Sequence, residues 1–220
     1  MAVIGDLVAS RLLASAERNS VQRALRTLLD RLNAANAVSI RSGFTIALGD
    51  QFEGLLSPEQ AHRILPDLAW ELDEAIPQCQ VRLGFGLGGI STEIVNQPGL
   101  VDGPAFHRAR AAIDLAKRRK RMGGVFQGFG EPYDGILNGL ARLLHAHRSR
   151  WSQQQRRLAA QLRRDAMQSE AAIALEISKQ AVSAYAKAAG WAAYKEGEDA
   201  LRLAIRLACT NSTGEREERP

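Results

Sequence analysis

Apolar and polar positions change period several times along the chain, and each change marks an element. Residues 2–8 open on Ala2-Val3-Ile4 and read as a short buried strand. Asn19-Ser20 reads as a helix N-cap, with Val21, Leu25, Leu28, Leu29 and Leu32 following at helical spacing. Residues 39–48 and 51–56 predict two strands joined at Gly49-Asp50, a hairpin. Ser57-Pro58-Glu59 opens a helix with proline at its first position, and that helix ends before Pro77. Val81 to Ile90 alternates as a strand, with Val81, Leu83, Phe85 and Leu87 on one side. Residues 104–120 predict a helix that starts at Gly103-Pro104, and the glycine-rich stretch Gly123–Gly130 predicts a last short strand.

The order is β-α-β-β-α-β followed by α-β. Its first six elements match the ferredoxin-like split βαβ arrangement, in which the third strand returns antiparallel between the first two. That topology puts the hairpin turn at the end of the sheet where strand one exits. Asp6 lies at the exit and Asp50 at the turn, so the two are expected to meet. From about Ile136 glycine nearly disappears and Ala, Gln, Arg and Leu dominate. The expected organisation is an α+β domain over 1–131, an all-α domain over 132–210, and a tail over 211–220 that lacks apolar side chains and reads as disordered.

Charge sharpens this division. Residues 1–116 carry 10 basic and 13 acidic side chains, residues 117–164 carry 12 and 2, and residues 165–220 carry 7 and 9. The net charge of +5 therefore comes from one middle band, which suits a polyanionic partner. Cys79 and Cys209 have no metal-binding or disulfide spacing, which fits a reducing cytoplasm. No apolar run approaches the roughly 20 residues that span a bilayer, so no membrane partner is expected.

Two constellations carry chemistry. Two carboxylates at one sheet edge are hard oxygen ligands suited to Mg²⁺, and Mg²⁺ sites commonly serve phosphates. Arg11, His107 and Arg110 would complete a phosphate pocket, the latter two near a helix start. Alone, Asp6 reads equally as a cap and Asp50 as a turn residue. Downstream, Ser169 to Tyr185 has a helix-turn-helix layout: small Ala172 in the first helix, Ser178 capping the second, and Val182 facing the core. Glu176 takes the turn position where glycine is usual, implying a different turn or a left-handed residue. Ser178, Lys179, Gln180, Ser183 and Lys187 form the face that would enter a major groove. Arg156, Arg157, Arg163 and Arg164 on the preceding helix would lie along the DNA backbone, and Leu201, Ala204, Ile205 and Ala208 suit a dimer seam.

Gly5-Asp6-Leu7-Val8-Ala9-Ser10-Arg11, Phe44 to Leu56, and Asp102 to Arg110 together resemble the SatD family over nearly the whole chain. At greater distance the N-terminal half resembles the palm-like domains of class III nucleotidyl cyclases and diguanylate cyclases. That resemblance implies metal binding by Asp6, Asp50 and the Leu7 carbonyl, and a triphosphate cradle from the N–H groups of Val8, Ala9 and Ser10. Ile46 stands where those enzymes carry a base-reading lysine, which implies altered specificity or a binding site without turnover. The sequence therefore reads as a DNA-binding regulator, expected to be a homodimer on double-stranded DNA, with a domain that holds a nucleotide or phosphate ligand through Mg²⁺. An active nucleotidyl cyclase or nucleotidyltransferase, and a non-catalytic scaffold, are the alternatives.

Overall fold

The computed structural model describes residues 1–47, 49–164 and 167–217, with side chains as far as Asn211. Leu48, the expected last residue of the second strand, and residues 218–220 of the expected tail lie outside these. The fold is α+β. Its strands are β1 (Ala2–Leu7), β2 (Ile40–Ile46), β3 (Gln51–Leu56), β4 (Val81–Gly86) and β5 (Val125–Gln127). Its helices are α1 (Ser15–Ala35), α2 (Ala61–Ala75), α3 (Pro104–Arg118), α4 (Tyr133–Arg148), α5 (Gln153–Leu162), α6 (Gln168–Ala174), α7 (Lys179–Ala188) and α8 (Trp191–Glu217). Helix α1 begins ahead of Asn19, because Ser15-Ala16-Glu17-Arg18 is compatible with helix and puts an acid in the first turn.

The sheet runs β2-β3-β1-β4-β5, antiparallel except for the β4–β5 pair. Ile4 stands opposite Glu53 on one side and Gly84 on the other, so the three share a face. That face meets α3: Ala2, Ile4 and Leu55 pack with Val101, Ala105, Phe106, Ala109 and Ile113. Gly84 and Gly86 let the helix seat closely, since a Cβ on Gly86 would lie 2.1 Å from the Ala105 carbonyl oxygen. On the other face Gly5 and Gly54 make room for the rings of Phe52 and Phe44. Strand β4 stops at Gly86 rather than Ile90; the Leu87 N–H still reaches the Gln127 carbonyl (3.1 Å), and Gly88 then lies against Ala105.

The chain divides into two units, Met1–Arg142 with the chain from Leu201 onward, and Leu143–Ala200. The division falls within α4 and not at Glu131-Pro132. Polar side chains tie the first turns of α4 to the β5 region: Asn138 bonds both the N–H and the carbonyl of Phe126 (2.9 Å each), and Asp134 accepts from the N–H groups of Gly128 and Phe129. Composition gives no sign of such ties.

In the second unit α5, α6 and α7 close around Leu158, Ala171, Ala172 and Val182. A cluster of His147, Trp151, Trp191 and Tyr194 adjoins the end of α7. Both Trp151 Nε1 and His147 Nε2 donate to the Ala189 carbonyl (2.7 Å each), which satisfies a helix-end acceptor.

Two expectations about α8 need correction. Leu201, Ile205 and Ala208 are buried within the chain, so this face is no dimer seam. The helix also continues as far as Glu217, through most of the segment expected as a disordered tail. Extending a formed helix costs far less than nucleating one, so weak helix formers such as Asn211 to Gly214 are carried along. Among the described residues no helix is long and apolar enough to cross a membrane.

Candidate functional site

The hairpin does bring Asp50 to the exit of β1: the Leu7 N–H donates to the Asp50 carbonyl (3.0 Å). Their side chains nevertheless part. Asp6 stands opposite Gln51, so Asp50 is level with Leu7, and one step along a strand reverses the face. The Asp6 carboxylate is buried on the α3 face, with Lys117 Nζ 3.1 Å from Oδ1 and Arg82 Nη1 3.5 Å from Oδ2. The Asp50 carboxylate accepts from the Ser10 hydroxyl (2.6 Å). Gln22 of α1 bonds the Gly49 carbonyl.

This donor set does not fit a divalent ion. Both Asp6 oxygens already face cations, and Mg²⁺ would add two charges beside a lysine and an arginine. Among the described residues no three His, Cys, Asp or Glu side chains are grouped to hold a metal.

The expected phosphate residues also separate. The Val8 N–H donates to the Gln80 carbonyl (2.8 Å) and so is taken from the cradle. Ala9 is left-handed (φ 58°) and starts a 3₁₀ turn, Ser10–Leu12, whose exposed Arg11 sits at the Asp6 end. His107 lies elsewhere. Helix α3 runs back along β4, so Lys117 reaches Asp6 while His107 sits about 15 Å up the helix, ten residues at 1.5 Å each. There His107 pairs with Asp102 (3.1 Å), and the bond from the Gly103 N–H, joined by that from His107, holds the Asp102 carboxyl below its ordinary range. Arg108 donates through Nη1 to the Leu87 carbonyl.

Arg110 faces Glu53, a residue the sequence reading missed. Glu53 is 3% exposed on the α3 face of β3, and Arg110 Nη2 lies 3.8 Å from Oε2. Burial pushes its carboxyl up, and Arg110 partly offsets this. The alternation Gln51, Glu53, Leu55 carried the signal, a charge at an inward position of a strand. Lys117 reaches Asp6 because α3 returns antiparallel to β4 and so ends where β1 ends.

In the second unit α6 ends in a Schellman turn. The Ile177 N–H donates to the Ala172 carbonyl (3.0 Å) and the Glu176 N–H to Ile173 (3.2 Å), with Glu176 left-handed at φ 55°. Ser178 then caps α7, its hydroxyl accepting from the Ala181 N–H (3.1 Å). Val182 is fully buried, whereas Ser178, Lys179, Gln180, Ser183 and Lys187 are all exposed. Arg157 and Arg164 of the preceding segment are exposed too. Arg163 is not: it makes a buried pair with Glu198 (2.7 Å), which removes it from the expected DNA-facing set.

The SatD family model matches residues 1–197. The chain belongs to the SatD family. No curated protein matches this SatD-family chain, and no solved structure does. The match covers all five strands and both the Asp6 end of the sheet and the α6–α7 pair.

Proposed function

We propose that this SatD-family protein binds double-stranded DNA through α7, the second helix of a helix-turn-helix formed by α6 and α7 on α5. The observation that carries this reading is the two-sidedness of α7. Val182 anchors it in the core, while Lys179, Ser183 and Lys187, one turn apart, line a polar exposed stripe beside Gln180. A surface helix needs such a core-facing side, but it does not need basic and amide side chains concentrated opposite it. Gln180 and Ser183 have groups that read base edges, and the lysines suit phosphates. Arg157 and Arg164 add positive charge nearby in sequence.

The sheet order supports a second, structural part of the reading: a ferredoxin-like core, β1-α1-β2-β3-α2-β4, extended by α3 and β5. The ion pairs on Asp6 argue against a two-metal catalytic centre in that core, so a regulatory or recognition role is favoured over nucleotidyl transfer. Selection of bound fragments from genomic DNA, followed by gel shift, tests the DNA reading. Lys179→Ala with Gln180→Ala should weaken the selected complex at least ten-fold, and an unchanged shift refutes the assignment of α7.

A further inference from the structure

The end of α3 carries more positive charge than its fold uses. Lys117 and Arg118 lie in the last turn, where cations suit the helix C-terminus, but Arg119, Lys120 and Arg121 follow beyond it. The backbone already closes that end. The Arg119 N–H donates to the Leu115 carbonyl (2.9 Å), the Lys120 N–H to Lys117 (3.3 Å) and the Arg121 N–H to Ala116 (2.9 Å), a second Schellman turn. Lys120 takes its left-handed position at φ 48°, where glycine is favoured and a lysine strains the backbone. Lys117 pairs with Asp6. The other four cations differ: Arg118, Arg119 and Lys120 are exposed and Arg121 is half-buried, and none has a side-chain hydrogen bond or ion pair among the described residues. Asp114, one turn before Arg118, is the sole acidic residue from Pro104 to Gly130. Folding accounts neither for this charge nor for a lysine in the left-handed position.

We infer that Arg118, Arg119 and Lys120 form a contact for the phosphodiester backbone of duplex DNA, additional to α7. Exposed cations without protein partners release condensed counterions when each takes a phosphate, and a run of them does so at neighbouring phosphates. The contact adds affinity and position but reads no bases. It rests on the reading that this chain binds duplex DNA, and it gives the first unit a part in that binding which α7 does not supply.

Fluorescence anisotropy of a labelled duplex, titrated with salt against the full chain, tests it. Arg118→Gln, Arg119→Gln and Lys120→Gly combined should lower the slope of log affinity against log salt by about 2.7, one phosphate per cation. Lys120→Gly alone relieves the left-handed strain, so its unfolding midpoint should hold or rise while its binding weakens; a lysine kept for folding would show the opposite pairing. Arg118→Lys with Arg119→Lys keeps the charge and should keep the wild-type slope. Arg23→Gln, Arg26→Gln and Arg41→Gln remove the same charge from exposed positions of the same unit and should keep it too. The inference is overturned if the turn variant keeps the wild-type slope, or if the Arg23, Arg26 and Arg41 variant loses as much. An unchanged slope in the turn variant beside a lowered one in Lys179→Ala with Lys187→Ala sinks this contact alone, and the reverse supports it and sinks the α7 assignment alone. No duplex binding by wild type overturns both.

Discussion

Glu176 offers a sharp quantitative test, because its cost lies in the backbone alone. It is exposed, it occupies the residue after the α6 C-cap, and its φ of 55° is left-handed. An L-residue in that region costs roughly 1–2 kcal/mol, and glycine removes the cost. Glycine also widens the unfolded ensemble, which returns roughly 0.4–1 kcal/mol. Glu176→Gly should therefore stabilise the helical unit by about 1 kcal/mol, which for a unit of this size raises Tm by roughly 4–8 °C. Glu176→Ala keeps the strained backbone and should stay within about 0.5 kcal/mol of wild type. Thermal unfolding followed by tryptophan fluorescence suits the assay, since Trp151 and Trp191 both lie in this unit. A neutral or destabilising Glu176→Gly would mean that the turn is not left-handed there, and the α6–α7 geometry would fall with it.

Other consequences follow from particular contacts. Val182→Ala deletes two methyl groups from a fully buried position, about 1.6 kcal/mol of transfer plus a cavity, so denaturant unfolding should report a loss of about 2 kcal/mol. Gly86→Ala would set a Cβ against the backbone of Ala105 and Ala109, and should lower the denaturation midpoint by an amount equivalent to about 3 kcal/mol; a tolerated alanine would show that α3 is not seated on β4. Burial raises the Glu53 carboxyl above its ordinary 4.5, Arg110 notwithstanding, so the folded chain holds that proton more tightly than the unfolded one. Stability from this group is present at low pH and is lost as pH rises through the interval above 4.5. The stability of Glu53→Gln relative to wild type should accordingly grow between pH 4 and pH 7, and a flat difference would contradict the raised carboxyl.

Much of the fold was legible because it rests on period and punctuation. Alternation through Leu83 and Phe85 marked β4, Pro104 marked the opening of α3, and the hairpin at Gly49-Asp50 followed from the two runs beside it, whereas Pro58 opens a 3₁₀ turn, Pro58–Gln60, and α2 starts only at Ala61. Strand β3 lies between β1 and β2, a placement that the order of elements along the chain does not by itself dictate. Side-chain direction at strand ends was not legible to the same degree. Asp6 and Asp50 share an end of the sheet, but a one-residue offset in register sends their carboxylates to different partners. The mates of Asp6 come from β4 and from the far end of α3, and only the crossover geometry shows that Lys117 arrives there while His107 does not. In the helical half, Ser178, Val182 and Ala172 do local work, capping and close packing, and the sequence carried them plainly. Arg163 resembled its exposed neighbours until Glu198, 35 positions away, was placed against it.

The central claim, that α7 meets DNA, is tested most directly by the salt dependence of binding. Fluorescence anisotropy of a labelled duplex, titrated from about 50 to 200 mM salt, gives the slope of log affinity against log salt for wild type and for Lys179→Ala with Lys187→Ala. If each lysine neutralises one phosphate, the double variant should lose about 1.8 from that slope while its thermal unfolding stays unchanged. Equal slopes for the two proteins, or no duplex binding by wild type at the lowest salt, would contradict the account.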